Sequence, residues 1–475
     1  MLDRIDAFLG ERVEKTIRSH HHRRLQRIGW AHALEAAPGM WASGEPPPRE
    51  GNEVEVLVDG AAALPAIARA IADAHSYVHL AGWYFSPSFQ LEERGASLRE
   101  LLAETAERVD VRMLAWAGAP LPLFHPDRKE VRETFEALAG GTRIRYGLDA
   151  LERPLHCHHE KLVIVDGELA FVGGIDLTTL QGDRFDRSDH PARGMHGWHD
   201  ATALLRGPAV ADVADHFAIR WREVTGEGLP AAEPPPAAGR LPVQVVRTVP
   251  ENVYDALPRG DFSLLEAYVA ALRSAERYIY LESQFLWSPE IVELLREKLR
   301  RPPGDEFRMV VLLPAKPNNG QEDTRGQIGV LVAADDGAGR FLACTLFQAG
   351  AKPPRSVYVH AKIGIVDDRW LTVGSANLNE HSLFNDSELN VVVADERLAT
   401  GVRKRLWAEH LECSEQELDA PVHEVVDTRW LPRAEQELAR LNEGHAPAHR
   451  LSRLPHVSRR SRGMLGPLNG LFVDG

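Results

Sequence analysis

Cysteine is scarce in this sequence of 475 residues. The three cysteines, Cys157, Cys344 and Cys413, are odd in number and far apart. Such a set supports neither a disulfide framework nor a zinc-binding pattern. Cys157 lies two residues before His159, and a small buried thiol is favoured there over a chemical role. Carboxylate clusters at metal-ligand spacing are also missing, so the sequence predicts no metal and no other cofactor.

Long apolar runs and an excess of positive charge are missing as well. No uncharged apolar run reaches the ~18 residues that a membrane-spanning helix needs. The segment 1–30 has charged side chains where a signal peptide has an apolar core, so a cytoplasmic location is expected. The net charge of −14 argues against a nucleic-acid partner, because phosphate backbones favour clustered Lys and Arg.

Lysine is the rarer of the basic residues, at 8 of 55. Two of the eight fall within one pattern, His-x-Lys-x4-Asp-x6-Gly, which occurs once in each half of the chain. From composition, a single His-x-Lys-x4-Asp match is expected only about 0.02 times. The two copies are His159, Lys161, Asp166 and Gly173, and then His360, Lys362, Asp367 and Gly374.

Two proline-rich stretches divide the chain. Gly44-Glu45-Pro46-Pro47-Pro48 ends a charged helical segment, and a stretch with the sequence Ala-Ala-Glu-Pro-Pro-Pro predicts a stiff linker. The predicted parts are a helical lead (1–50), a first repeat (51–225), the linker (226–240), a second repeat (241–425) and a basic C-terminal extension (426–475).

The two repeats align at a constant offset. His360 lies 201 positions after His159, and Tyr278 lies 201 positions after Tyr77. Around these tyrosines the sequence predicts aromatic strands at 76–86 and 277–287, each after an alanine-rich helix at 61–74 and 262–275. Apolar strands at 109–116 and 309–314 match too. We therefore predict an α/β fold of two pseudo-twofold-related repeats, with mixed β-sheets flanked by helices and an active site between the halves.

Each motif is predicted to lie on a β-hairpin. Asp166-Gly167 and Asp367-Asp368 supply the turns. Strand alternation before the turn places the His and Lys of each motif on one face. The pairs Gly173-Gly174 and Gly374-Ser375 permit close backbone approach at the strand end.

Two histidines and two lysines suit the cleavage of a phosphodiester through a phosphohistidine. Lys161 and Lys362 would hold the anionic oxygens. One histidine would attack phosphorus, and the other would protonate the departing alcohol and then activate water or another alcohol. Histidine suits both tasks because its ordinary pKa of ~6.5 leaves both protonation states accessible at neutral pH.

The duplicated motif resembles the signature of the phospholipase D superfamily. Other segments resemble the phospholipase D branch, and its bacterial type in particular, because no accessory lipid-targeting domains are expected in this sequence. The resemblance runs from about Val54 to Leu411. The segments are Gly173–Leu177, Trp198–Asp200, Gly207–Ala209, Tyr280–Phe285, Gly374–Asn377, Asp386–Leu389 and Leu406–Leu411.

The resemblance implies a role for each candidate residue. His159 would be the nucleophile and His360 the general acid, although the near symmetry leaves the reverse order open. Asp200 and Glu388 would steer the two imidazoles. Asn377 would donate to a phosphate oxygen.

Three aspartates are weighed differently. Asp166 and Asp367 belong to the motif and are included among the catalytic candidates. At hairpin turns, however, pairing with backbone or with a basic residue is favoured over direct chemistry. Asp176, the first-repeat counterpart of Asn377, cannot donate while ionised, which favours a structural role.

The implied activity is hydrolysis of glycerophospholipids to phosphatidic acid and a head-group alcohol, with head-group exchange as a side activity. The alternatives are a cardiolipin synthase-type phosphatidyltransferase, a nuclease of the same superfamily, and a non-catalytic lipid-binding scaffold. The sequence leaves the oligomeric state open.

Two histidine- and arginine-rich stretches bear on partners. The basic extension from His449 to Arg462 suggests peripheral contact with an anionic membrane surface; packing against the acidic body of the protein itself is the alternative. Liposome flotation with and without the tail separates these two. For His20-His21-His22, a solvated polar turn is favoured over a transition-metal site.

Overall fold

The computed structural model describes residues 2–121, 125–153, 156–180, 197–318 and 320–455. The first repeat alternates strands and helices before its hairpin. Its strands are β1 (Arg49–Val58), β2 (Tyr77–Gly82), β3 (Asp110–Trp116), β4 (Arg145–Asp149), β5 (Leu162–Val165), β6 (Leu169–Gly173), β7 (Gly197–His199) and β8 (Ala201–Arg206). The helices up to its end are α1 (Leu2–Ile28), α2 (Ala31–Glu35), α3 (Gly60–Ala72), α4 (Leu98–Ala106), α5 (Arg128–Ala139) and α6 (Val210–Thr225).

The second repeat follows the same plan. Its strands are β9 (Leu241–Thr248), β10 (Tyr278–Glu282), β11 (Arg308–Leu312), β12 (Phe341–Phe347), β13 (Ser356–Val359), β14 (Ile363–Val366), β15 (Trp370–Gly374), β16 (Glu388–Val393) and β17 (Leu451–Arg453). Its helices are α7 (Ser263–Ser274), α8 (Pro289–Arg300), α9 (Gln321–Asp335), α10 (Glu396–Leu411), α11 (Val422–Val425) and α12 (Leu431–Asn442). π-helical turns occupy His381–Asn385 and Val426–Trp430, and a 3₁₀ turn occupies Glu415–Leu418.

Both repeats build a mixed sheet with one strand order. In the first repeat the order is β1–β8–β6–β5–β2–β3–β4, where β2, β3 and β4 are parallel and the other neighbours antiparallel. In the second repeat the order β9–β16–β15–β14–β10–β11–β12 has the same pattern of directions. The predicted mixed α/β fold of two related repeats is confirmed.

Two strand pairs join the repeats. β1 pairs antiparallel with β9, which places the sheets edge to edge. β7 of the first repeat pairs parallel with β13 of the second, with Val359 opposite His199. The second pairing ends at Val359, immediately before His360. Backbone hydrogen bonds to the first repeat therefore fix the start of the second motif.

The core is layered around these sheets. Strand alternation in β5 sends Leu162 and Ile164 to a central apolar cluster, which also contains side chains of α6 and α10. The intervening Val163 and Val165 face α3, α4 and α5 on the other side. In the second repeat the outer face packs against α7, α8 and α9. The shared apolar layer therefore lies between the two sheets.

The hairpin turns agree with the sequence prediction. Asp166 and Gly167 have φ angles of 56° and 70°, and Asp367 and Asp368 have φ angles of 56° and 57°. Consecutive residues with positive φ form the type I′ turn that matches the twist of paired strands. The helices predicted at 61–74 and 262–275 are observed as α3 and α7.

The N-terminal histidines differ from the prediction. They lie within α1 rather than in a solvated turn, and His21 is buried with its Nδ1 2.8 Å from Glu290 Oε1. Arg24 forms an ion pair of 2.7 Å with Glu251. These contacts dock α1 on the second repeat.

Among the described residues, no helix has the length and apolar character needed to cross a membrane.

A buried ion network lies beneath the first motif. Arg220 contacts Glu160, the residue between His159 and Lys161, and forms an ion pair of 2.9 Å with Asp149. The Tyr254 hydroxyl donates to Asp149 at 2.7 Å, and His216 Nε2 is 2.9 Å from Glu160. The arginine thus compensates two carboxylates that water does not reach.

Replacing Arg220 with methionine should destabilise the fold strongly. The change keeps the apolar stem but leaves Glu160 and Asp149 buried without their cation, which costs about 3–5 kcal/mol of unfolding free energy. Urea denaturation measures this loss. The control is Lys129→Ala, which breaks the exposed pair with Glu133 and should leave the midpoint unchanged. Equal midpoints for R220M and wild type would contradict the assigned role.

Candidate active site

The two motif segments are held by backbone bonds from the opposite repeat. The amides of His159 and Glu160 both donate to the carbonyl of Ser387, at 2.9 and 3.1 Å. The amides of His360 and Ala361 both donate to the carbonyl of His199, at 2.8 and 3.1 Å. The same two-donor arrangement therefore occurs twice. In each case the accepting residue immediately precedes a carboxylate.

Those carboxylates are the partners of the two histidines. His159 Nδ1 lies 3.0 Å from Glu388 Oε1, and His360 Nδ1 lies 2.6 Å from Asp200 Oδ2. All four side chains are buried. Each imidazole therefore takes its carboxylate from the other repeat, which fixes ring orientation and favours the tautomer with hydrogen on Nδ1.

Glu388 has further partners that the sequence analysis missed. The hydroxyls of Ser375 and Ser382 donate to its two carboxylate oxygens, with 2.5 Å from Ser382 Oγ to Oε1. Burial raises the pKa of Glu388 to about 8, although nearby Lys161 and these hydroxyls act in the opposite direction. Ser375 stood within the family-like segment Gly374–Asn377, whereas nothing in the sequence marked Ser382.

The two motif lysines lie near one another. Each Nζ donates to the carbonyl of its own motif histidine, and Lys161 also lies 3.6 Å from Asp176. Burial lowers the pKa of Lys362 to about 7, and the positive charge of Lys161 contributes to the lowering. Asp176 is a counter-ion for Lys161, which agrees with a structural role.

The residue that follows the motif glycine is Gly174 in the first repeat and Ser375 in the second. Each lies against one of the two carboxylates, Asp200 and Glu388. A Cβ at Gly174 would lie 2.2 Å from Asp200 Oδ1, so a side chain there would displace the carboxylate that meets His360. At the equivalent position Ser375 supplies a hydroxyl to Glu388. The close approach predicted from Gly173-Gly174 is therefore present, and glycine is required at this point.

Asn377 is fully buried beside the second motif. Its Nδ2 is 3.4 Å from Gln284 Oε1, and its Oδ1 has no hydrogen-bond partner within the described part of the chain. Gln284 in turn donates to the Tyr358 hydroxyl at 2.8 Å. The Nδ2 donor, weakly engaged at 3.4 Å, is suited to bind an anionic oxygen.

The two motif aspartates do not join the histidines. Asp166 Oδ1 accepts the amides of Ser76 and Tyr77, at 2.6 and 2.9 Å. It follows Lys161 by five residues of extended strand, a distance of about 16 Å. Its inclusion among the catalytic candidates is corrected on this geometry, because its carboxylate anchors the start of β2.

Asp367 has the equivalent place in the second repeat. Its carboxylate accepts the amides of Glu276, Arg277 and Tyr278, all at 2.7–2.8 Å. These bonds hold the start of β10, as those of Asp166 hold β2. The catalytic assignment of Asp367 is corrected for the same reason, and the structural alternative given for both aspartates agrees with these contacts.

Other histidines around the motifs have structural partners. His158 Nε2 is 3.0 Å from Asp149, away from the Glu388 carboxylate that His159 meets. His199 is fully buried between Asp59 and Glu282, at 3.0 and 2.9 Å, so it is a core histidine rather than a pocket residue. Cys157 is buried too, as predicted.

Three groups of side chains within the described residues have the composition of a metal site. Their ligand atoms lie within 4.8 Å of one another. Sequence reasoning missed all three, because their members come together only in the fold. The groups are His156, His381 and Asp386; His199, Glu282 and His410; and Asp59, His199 and Glu409.

The chain is similar to several known proteins. Residues 268–409 match a family model described as "Cardiolipin synthase, PLD-like domain". The chain is 26% identical over 481 residues to phospholipase D A of Dictyostelium discoideum, covering 80% of this chain and 37% of the relative. It is also 26% identical over 363 residues to the major cardiolipin synthase ClsA of Bacillus subtilis, covering 74% and 67%.

The chain spans between about a third and a half of the length of the first relatives that it matches. A solved structure of phosphatidylserine synthase from Haemophilus influenzae Rd KW20 has a TM-score of 0.54 and 13% identity, covering 88% of this chain and 98% of that one. This likeness supports the fold alone. The family match and the phospholipase D and cardiolipin synthase relatives support the phospholipase D superfamily as the family that this chain resembles.

Proposed function

We propose that this protein is a phosphodiesterase that cleaves glycerophospholipids to phosphatidic acid and a head-group alcohol. The observation that carries the proposal is the pair of buried histidines, each bonded to a carboxylate of the opposite repeat. A buried histidine–carboxylate pair orients a base or nucleophile. Two such pairs, with a lysine two residues after each histidine, match the needs of a two-step phosphoryl transfer. The names of the relatives support a phospholipid substrate.

In the first step His159 attacks phosphorus through Nε2, the ring nitrogen opposite its carboxylate. A P–N bond forms as the bond from phosphorus to the head-group oxygen breaks. His360, in its imidazolium form, gives its Nε2 proton to the departing oxygen, and Asp200 stabilises that cation beforehand. The products of this step are a phosphatidyl-histidine and a free head-group alcohol.

The second step regenerates the enzyme. Neutral His360 takes a proton from water as the oxygen of that water bonds to phosphorus. The P–N bond breaks, and its electron pair returns to His159. The product is phosphatidic acid. An alcohol in place of water gives a phosphatidyl alcohol, which accounts for head-group exchange without any change in the residues.

The two motif lysines neutralise the negative charge of the bound phosphodiester. Lys161 and Lys362 hold the non-bridging oxygens, and Asn377 donates to one of them. A bound phosphodiester anion stabilises the ammonium form of Lys362, whose pKa burial has lowered to about 7. Binding of the substrate and protonation of this lysine therefore favour one another.

A phosphatidyltransferase is the second candidate. The family description and the cardiolipin synthase relative favour it, and the same histidines would serve. Product analysis with labelled phosphatidylglycerol, with and without glycerol, separates the two functions. Phosphatidic acid as the main product supports hydrolysis, whereas cardiolipin as the main product supports transfer. A nuclease is disfavoured by the net charge of −14.

We also propose that the five parts predicted from the sequence are the domain organisation of the chain. We further propose that the protein makes peripheral contact with the membrane surface. Within the described part of the C-terminal extension, His449 and Arg453 meet Glu412 and Glu435 at 3.1 and 2.9 Å. For this described part, the contacts favour the alternative in which the extension packs on its own body. The basic residues beyond 455 lie outside the described residues.

Replacing either motif histidine should abolish phospholipid cleavage. His159→Ala removes the nucleophile and His360→Ala removes the proton donor, and each change should lower kcat by at least ~10³-fold. Mass spectrometry of phosphatidic acid released from mixed-lipid vesicles measures this loss. The matched control, His125→Ala, removes an exposed histidine and should retain full activity. Cleavage that survives both motif changes would overturn the mechanism.

Glu388→Gln should change how stability depends on pH. The pKa of Glu388 lies above its ordinary 4.5, so the folded protein holds a proton that the unfolded chain releases. This contribution is present below about pH 4.5 and is lost as pH rises towards about 8. Glutamine cannot titrate. The Tm of wild type minus that of E388Q should therefore fall between about pH 5 and pH 8. A difference that stays constant over this range would contradict the raised pKa.

A further inference from the structure

A group of metal-ligand side chains lies beside the His159–Glu388 pair and takes no part in the proposed chemistry. His156 precedes His159 by three residues, Asp386 precedes Glu388 by two, and His381 begins a π-helical turn. All three are buried: His156 is 9% exposed, His381 1% and Asp386 0%. The members come from both repeats, as do those of the catalytic pairs.

The ligand atoms of this group converge on one point. His156 Nδ1 lies 3.1 Å from His381 Nδ1 and 3.3 Å from Asp386 Oδ1. A tetrahedral ion at ~2.0–2.1 Å from each ligand would place the ligands about 3.3 Å apart. Both observed separations match that spacing. One Nδ1 hydrogen on His156 cannot serve both neighbours with good geometry, so at least one of these two contacts is not a hydrogen bond donated by His156.

Asp386 provides a second, independent observation. Its Oδ1 accepts the amide of Cys157 at 2.9 Å, but its Oδ2 is buried and has no hydrogen-bond partner within the described part of the chain. Buried carboxylate oxygens are normally satisfied. A cation shared with the two imidazoles would supply the missing interaction.

In the other two groups, His199 and His410 direct ring nitrogens at carboxylate oxygens. His199 meets Asp59 through Nδ1 and Glu282 through Nε2. His410 Nε2 lies 3.1 Å from the second oxygen of Glu282. Three nitrogens in this set thus lie within hydrogen-bond distance of three different carboxylate oxygens. The group at His156 differs because two imidazole nitrogens lie 3.1 Å apart, the Nδ1 atoms of His156 and His381.

We propose that His156, His381 and Asp386 form a binding site for one divalent transition-metal ion, with Zn²⁺ as the best match. Two imidazoles and one carboxylate are a ligand set that Zn²⁺ accepts, and a water molecule completes four-coordination. The ion is a positioning element rather than a catalyst. It ties the segment before His159 to the segment before Glu388. It also fixes His381, whose neighbour Ser382 bonds Glu388.

Metal titration of the full-length protein tests this site. Chelator-treated protein is titrated with Zn²⁺ by calorimetry and with Co²⁺ by visible absorption. Wild type should bind one equivalent, and His156→Ala and His381→Ala should each weaken Kd at least ~tenfold. The first control is His22→Ala, which removes an exposed histidine of α1. The second is His410→Gln, which removes a histidine that contacts Glu282. Both controls should bind as wild type does.

Two further measurements guard against misfolded variants. Zn²⁺ should raise the Tm of wild type and of the controls but not that of H156A or H381A, whose metal-free circular dichroism spectra show whether they fold. The X-ray absorption spectrum of Zn²⁺-loaded wild type needs no variant and should show two imidazole nitrogens and oxygen ligands. The proposal is overturned if wild type binds no stoichiometric Zn²⁺, if folded H381A binds it equally, or if binding is lost in H410Q instead.

Discussion

The structure depends on one constraint: each motif histidine is oriented by a carboxylate that the other repeat provides. His159 pairs with Glu388, and His360 pairs with Asp200. Each of these two pairs takes its histidine from one repeat and its carboxylate from the other. The strand pairing of β1 with β9 and of β7 with β13 holds the sheets in the register that these pairs require. Assembly of the site and assembly of the core are therefore the same event.

The protein can bury so many ionisable groups because most of them lie next to a group of opposite charge. Behind the first motif, Arg220 compensates Glu160 and Asp149; behind the second, His199 and His410 share Glu282. Partial matching at the centre shifts the protonation equilibria, since burial raises the pKa of Glu388 and lowers that of Lys362. Shifts of this kind are typical of sites that bind or transfer charge.

The duplicated architecture could be predicted from the sequence because its signals are local. Strand alternation, alanine-rich helices and the Asp-Gly and Asp-Asp turns act within a few residues, and the constant offset of 201 extended them to the whole chain. Contacts between distant residues gave no local signal. Ser382 and His381 reach the site through a π-helical turn, and the docking of His21 on Glu290 depends on tertiary packing. The structural role of Asp166 and Asp367 in the motif is to accept backbone amides at the starts of β2 and β10. These contacts are visible only in the folded protein.

The central claim is the crossed pairing of histidines and carboxylates. Ring ¹⁵N NMR of His159 and His360 in selectively labelled protein tests it most directly, because the nitrogen shifts report tautomer and protonation. We expect Glu388→Gln to move the signals of His159 and leave those of His360 in place. Asp200→Asn should do the reverse. Signals that respond to the carboxylate of their own repeat, or to neither one, would contradict the account.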